Sequence, residues 1–171
     1  MRAGGKILTD ARRTGEIPRR DGPIVLRPAS RRDLRELMTI ETVCFGDRQF
    51  GRDALEWVLD NPSAVTFVDD RGAIVGSVMV LFEGDECRIL SVAVLPEWRR
   101  RGIGRGLMEA AERFARERGA MSMRLEVGTR NDVAIEFYRT LDYKIDGLLA
   151  GYYPDGEDAH EMRKRLGQAN A

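Results

Sequence analysis

Residues 91–107, SVAVLPEWRRRGIGRGL, run from an apolar, strand-like stretch into Arg99, Arg100 and Arg101, then into Gly102, Gly104 and Gly106, with Arg105 among the glycines. A glycine-rich turn that leaves a strand and enters a helix presents unpaired backbone N–H groups at the positive end of the helix dipole. Such a turn binds anions. Gly102 and Gly104 carry no Cβ to hold an oxygen away from the backbone, and the arginines surround the opening with positive charge. A diphosphate meets both demands. Two nucleotide signatures can be tested against it: GxxxxGK[ST] is absent, and GxGxxG fails at its third position, which is Leu107. Glu126 falls where the ribose-binding acid of a dinucleotide enzyme would lie, which keeps that alternative open, although residues 96–101 intrude between the strand and the first glycine.

The bulk composition narrows the classes. With 171 residues, 43% of them hydrophobic, the chain supports one domain with a real core. Basic and acidic residues balance at 28 each, which gives no argument for a nucleic-acid or membrane partner. Only Lys6, Lys144 and Lys164 are lysines, so arginine is abundant everywhere and the RRR triplet needs its context to carry weight. Cys44 and Cys87 have no CxxC spacing and are expected to be reduced thiols. His160 is the single histidine, so a histidine-rich metal site is excluded and any triad would have to run through it. No run of 18 apolar residues and no apolar leader occur, and a cytoplasmic protein is the expectation.

Around the arginine-glycine turn the periodicity lays out a consistent set of elements. Residues 1–23 carry six basic and three acidic residues without periodicity and are expected to form a flexible basic extension. IVLRP predicts a strand, and Ser30 with Asp33 predicts a capped helix with Leu34, Leu37 and Met38 on one face, ending near Thr42. CFGDRQFG reads as a loop, and residues 52–60 as a second helix closed by Asn61 and Pro62. AVTFV, AIVGSVMVLF and CRILSVAVL predict three antiparallel strands. Ile103, Leu107, Ala110, Ala111 and Phe114 mark the longest helix, stopped at Gly119. MSMRLEV alternates as a strand, and NDVAIEFYRTL follows as a helix with Ala134, Phe137, Tyr138 and Leu141 on one face. YKIDGLLAGY and AHEMRKRL form two final strands. The order β-α-α-β-β-β-α-β-α-β-β implies an α/β (α+β) domain over 24–166 with one mixed, mostly antiparallel sheet, and a short tail over 167–171.

RRRGIG, Arg99–Gly104, resembles the [RQ]xxGx[GA] signature of the GNAT superfamily of N-acetyltransferases, and the resemblance extends over residues 24–166. It implies acetyl-CoA as cofactor, with the diphosphate held at Arg99, Arg100, Arg101, Gly102, Ile103, Gly104 and Arg105. It further implies that Val92, Ala93 and Val94 offer backbone groups to the pantetheine amides. LEVGTRNDVAIEFY is similar to LEVRxSNxxAIxLY of the RimI-type ribosomal-protein and protein N-terminal acetyltransferases. That similarity implies Glu126 as general base, Tyr138 as general acid and cofactor contact, and Asn131 as a ligand of the cofactor arm. Read without the resemblance, Glu126 is a polar residue on the sheet face away from Met123, Leu125 and Val127, Tyr138 a core aromatic, and Asn131 an N-cap. Gly128 departs from the pattern by standing where it has arginine, Val133 by standing where alanine is usual, and LDY by replacing LGF.

GYYPDGEDAHEM resembles the YYxDGEDAxxM region of protein N-terminal acetyltransferases, which implies that Tyr152 and Tyr153 face an acceptor peptide. Phe45, Asp47 and Phe50 would then shape the pocket for its first side chain. The expected activity is transfer of an acetyl group from acetyl-CoA to a protein or peptide N-terminal α-amine, a ribosomal protein being one candidate, with no metal. A relative acting on a polyamine, antibiotic or amino-acid metabolite, and a non-catalytic acyl-CoA sensor, are the alternatives.

Overall fold

The computed structural model describes residues 22–167, so the expected extension and tail lie outside the described residues except for their innermost ends. Seven strands and four α-helices follow in the expected order: β1 (Leu26–Pro28), α1 (Leu34–Phe45), α2 (Arg52–Asp60), β2 (Ala64–Asp70), β3 (Ile74–Glu83), β4 (Glu86–Val94), α3 (Ile103–Glu117), β5 (Ser122–Gly128), α4 (Asp132–Thr140), β6 (Lys144–Leu149) and β7 (Ala159–Arg165). The strands form one sheet ordered β1-β2-β3-β4-β5-β7-β6. Every neighbouring pair is antiparallel except β4 and β5.

The sheet is covered on both faces. Val75, Val78 and Val80 of β3 join Leu107, Met108 and Ala111 of α3 and Ile135 of α4 in one core, while Ile74 and Met79 join Leu37, Ile40, Leu55 and Val58 of α1 and α2 in the other. This explains why β3 is apolar on both faces apart from the buried Ser77: a strand with helices above and below has no solvent face over Ile74–Val80. By contrast β5 alternates, with Met123, Leu125 and Val127 buried and Arg124 and Glu126 on the other face, as its pattern predicts.

Two backbone events open the sheet where the arginine-glycine turn begins. The β3–β4 ladder slips between Met79 and Val80, leaving Leu90 as the extra residue of a bulge. The β4–β5 ladder holds only Glu86 to Ser122, Cys87 to Met123 and Arg88 to Arg124, after which the strands share no further pair. Parallel neighbours that part in this way leave a wedge bordered by β4 residues 89–94 and β5 residues 125–128.

Some boundaries move. Ser30 and Asp33 form the expected capping box, but it starts a 3-10 turn, Arg31–Asp33, and α1 continues to Phe45 rather than ending near Thr42. The helix stops at Gly46, whose φ of +53° an L-residue avoids, so Cys44 and Phe45 are helical and the expected loop contracts around a 3-10 turn, Gly46–Arg48. On α4 the buried side chain is Ile135, while Ala134, Phe137 and Tyr138 are half-buried against the same core. The strand expected over 143–152 is shorter, because Gly151, at φ +58°, belongs to the turn that follows β6.

Candidate active site

The arginine-glycine turn has the form its composition calls for. Arg100 and Gly102 both adopt positive φ, 62° and 79°, which folds the backbone into a concave loop of amides. Gly102 caps α3 without a side-chain hydrogen bond, and the first helical bond runs from Gly106 N to Gly102 O at 3.0 Å. The N–H groups of the first turn, at Ile103, Gly104 and Arg105, therefore stand at the helix's positive end with no capping side chain. The two glycines serve different ends. A Cβ on Gly102 would meet no heavy atom within 4 Å, so positive φ is its requirement; a Cβ on Gly104 would lie 3.2 Å from Phe137 Cζ, so its requirement is close packing of α3 on α4.

The arginines fan out from this loop. Arg99 turns back, its Nε donating to Val94 O at 2.9 Å, and Cys44 Sγ donates to the same carbonyl at 3.5 Å. Arg101 stacks over the Trp98 ring, and Arg105 reaches Thr140 O at the end of α4. Ala93 is buried against α1 and α2, and Val92 is half-buried against the α3 core; both sit on the part of β4 that has lost its β5 neighbour. Asn131 caps α4, its Oδ1 accepting from Ala134 N at 3.1 Å, which confirms the capping role and commits that oxygen.

On the β5 side of the wedge, Glu126 is nearly buried although it points away from the main core, because two arginines cover it. Arg88 Nε donates to Oε2 at 3.1 Å and Arg124 Nη1 to Oε1 at 2.7 Å. Arg88 also donates to the Tyr152 hydroxyl at 2.9 Å, which ties the base candidate to the β6–β7 turn. Tyr152 and Tyr153 pack edge to face with centroids 5.0 Å apart. Tyr153 lies within electrostatic reach of Glu126, and Tyr138 within reach of Tyr153. Burial, with Tyr153 adding to it, pushes the Tyr138 phenol well above its ordinary range, so Tyr138 keeps its proton at neutral pH. Arg88 thus joins Glu126 to Tyr152, Tyr152 packs on Tyr153, and Tyr153 reaches Tyr138 electrostatically.

The expected acceptor-pocket residues are placed unevenly. Phe45 and Asp47 are exposed at the end of α1 and in the 3-10 turn after it. Phe50 is half-buried, packed on the α1–α2 core, and its N–H donates to Glu41 Oε2 at 3.0 Å. Glu41, fully buried, also accepts from Ser91 Oγ at 2.6 Å, so one carboxylate ties the α1–α2 loop to the bulged strand; burial raises its pKa against those two hydrogen bonds. The strand pattern put Arg124 on the face of Glu126 without a role, and Glu41, Ser91, Arg88 and Arg48 were not singled out by the sequence. His160 sits in the β7 ladder between Val127 and Leu148 and takes no part in the cluster.

Comparison with known proteins agrees with this geometry. The model of the Acetyltransferase (GNAT) family matches residues 31–143, from the capping box to Tyr143. The N-terminal acetyltransferase A complex catalytic subunit NAA10 of Arabidopsis thaliana is 34% identical over 150 residues, which cover 84% of this chain and 78% of that protein. Ard1 from Thermoplasma volcanium superposes with a TM-score of 0.78 at 28% identity, covering 84% of this chain and 98% of the other. The ribosomal-protein-S18-alanine N-acetyltransferase from Escherichia coli, at 24% identity, shares the fold with the same TM-score over 86% of this chain and 97% of its own. With an uncapped helix start behind an arginine-glycine turn, a parted β4–β5 pair and a family match over most of the domain, this chain belongs to the acetyltransferase (GNAT) family.

Proposed function

We propose that the chain transfers an acetyl group from acetyl-CoA to the α-amine at the N-terminus of a protein or peptide. The observation that carries this reading is the gathering of Glu126, Tyr138, Tyr152 and Tyr153 beside the parted strands, next to an anion-binding helix start. The similarity to NAA10 of Arabidopsis thaliana and to Ard1 supports it.

The residues fit acetyl-CoA. Amides of Ile103, Gly104 and Arg105, with Arg100 and Arg101 at the rim, suit its diphosphate, and the unpaired stretch of β4 at Val92–Val94 suits the amides of its pantetheine arm, although Val94 O is already engaged by Arg99. When bound, acetyl-CoA supplies an activated thioester. The chain's own residues then have two proton tasks. Glu126, held by Arg88 and Arg124, takes a proton from the acceptor ammonium through a water, which frees the amine lone pair. Tyr138, which holds its proton, would supply the one that the departing thiol needs. An α-amine titrates roughly 2.5 units below a lysine side chain, so the neutral nucleophile costs about 3.5 kcal/mol less at a chain terminus. Tyr152 and Tyr153 border the approach of the acceptor and exclude bulk water from it.

The test is purified protein with acetyl-CoA, a panel of peptides differing in their first two residues, and a panel of polyamines and aminoglycosides. Acetylation confined to peptide N-termini is the expected outcome. Turnover of the small amines without any peptide turnover overturns the proposal in favour of a metabolite acceptor.

A further inference from the structure

The α1–α2 loop and the β6–β7 turn are far apart in sequence, yet one side chain joins them. Arg48 ends the 3-10 turn after α1 and sends its guanidinium to Asp155 and, at 2.6 Å, to Glu157 Oε2. The same guanidinium lies 3.9 Å above the Tyr153 ring. The β6–β7 side of this contact is fixed. Glu157 Oε1 accepts from Arg130 N at 2.9 Å, Asp158 Oδ1 from Gly151 N at 2.7 Å, and Asp155 Oδ1 from Glu157 N at 3.0 Å, while Thr129 N donates to Asp158 O. The α1–α2 side hangs from Glu41 through Phe50 N.

Room for the contact comes from a third element. Residue 128 closes β5, and a Cβ there would stand 2.7 Å from Glu157 Oε1 and 3.2 Å from Arg48 Nη1. Any side chain at this position displaces one or both. Gly128 is at ordinary φ, so open space rather than backbone freedom is what the glycine provides.

We infer that Arg48 is a positioning residue for the acceptor: it straps the α1–α2 loop to the β6–β7 turn across the groove beside Tyr153, in a space that exists because residue 128 is glycine. The strap sets the distance between the two lips that an incoming chain end must pass and holds Tyr153 in place from above. Arg48 touches neither Glu126 nor Tyr138, so its influence falls on acceptor binding and not on the proton steps. Asp155 and Glu157 are held below the ordinary carboxylate range by Arg48 and by backbone N–H groups, so mild acid leaves the strap closed. Salt is the agent that weakens an exposed ion pair of this kind.

This inference rests on the groove being the acceptor's entrance, and two experiments separate the two ideas. Hydrogen exchange needs no acceptor: in Arg48→Ala and in Gly128→Ala, amides of residues 46–50 and 151–157 should lose protection together. Loss at 46–50 alone overturns the strap. In steady-state assays at saturating acetyl-CoA, with a peptide uncharged in its first residues, Arg48→Ala should raise the acceptor KM roughly three- to tenfold with kcat within about twofold. Arg48→Lys, which keeps the charge and loses the fork, should fall between. Gly128→Ala should mimic Arg48→Ala, and the double variant should be no worse than either single one. Added salt should raise the wild-type acceptor KM and leave that of Arg48→Ala flat. A kcat loss with unchanged KM, or additive effects of the two substitutions, rejects the assignment. If the wild type acetylates no peptide, the proposed activity fails while hydrogen exchange still decides the strap.

Discussion

Glu126 and Tyr138 have opposite kinds of surroundings: two guanidiniums hold the carboxylate, and aromatic rings flank the phenol, Phe137 at 5.3 Å and Tyr143 at 6.1 Å between centroids. The two arginines orient the carboxylate, while burial favours the neutral phenol that can give a proton. Glu126→Gln keeps shape and one of the two arginine hydrogen bonds but removes the proton acceptor; Tyr138→Phe keeps the ring and removes the proton. Each should lower kcat roughly 10²- to 10⁴-fold with the KM for acetyl-CoA nearly unchanged. Turnover equal to wild type in both variants would exclude them from the proton steps. The sequence offered both residues only through the resemblance of the short contiguous segment that holds them, and the two variants test the roles it implies. Arg48 and Arg88 were not legible, for a physical reason. In an arginine-rich chain no single arginine is distinctive, and their partners lie 38 to 109 residues away. The one visible trace was Gly128, whose missing side chain marks the space where Arg48 and Glu157 meet.

At the level of elements, the turn into α3 was readable and the gap it serves was not. Alternation, caps and glycines announced nearly every strand and helix, whereas the Leu90 bulge and the parting of β4 from β5 are backbone events that leave no mark on side-chain pattern. The two glycines of the turn now separate by function. Gly102→Ala forces an L-residue to φ +79°, a cost of about 1–2 kcal/mol that the loop can avoid by giving up its concave shape. The acetyl-CoA KM should therefore rise roughly tenfold or more while kcat changes little, since the amides no longer converge. Gly104→Ala drives a methyl against Phe137, the ring next to Tyr138, and overpacking of this kind costs about 1–3 kcal/mol. Its signature should be a lower Tm with a fall in kcat. The opposite assignment, with Gly104→Ala weakening acetyl-CoA and Gly102→Ala displacing the acid, would show that the backbone of residues 102–104 serves the ligand differently from its geometry.

For the molecule as a whole, the question is whether the arginine-glycine turn and the doubly covered sheet open as one unit, and the two thiols can report on it. Cys44 is half-buried on α1 and shares the Val94 carbonyl with Arg99; burial lifts its pKa and Arg99 opposes the lift. Cys87 is buried on β4 in the short stretch still paired with β5, its pKa pushed up to about 12 by burial. A small alkylating reagent should therefore modify Cys44 in the native state, faster as pH rises, and reach Cys87 only through opening of the sheet. A ligand that binds only the folded form at a free concentration one hundred times its Kd lowers the unfolded population about a hundredfold. With CoA at that level, modification of Cys87 under low reagent should slow by roughly the same factor. Cys44 should slow as well, by a local route, if the arginine-glycine turn holds CoA as proposed, since Arg99 of that turn lies beside it. The measurement is mass-spectrometric labelling at each thiol, with and without CoA. If Cys87 reacts at a rate indifferent to CoA while Cys44 is protected, β4 opens independently of the turn it feeds. The wedge would then be a locally mobile seam, and the proposed placement of Glu126 toward a thioester would have to come from the bound ligand instead of the sheet.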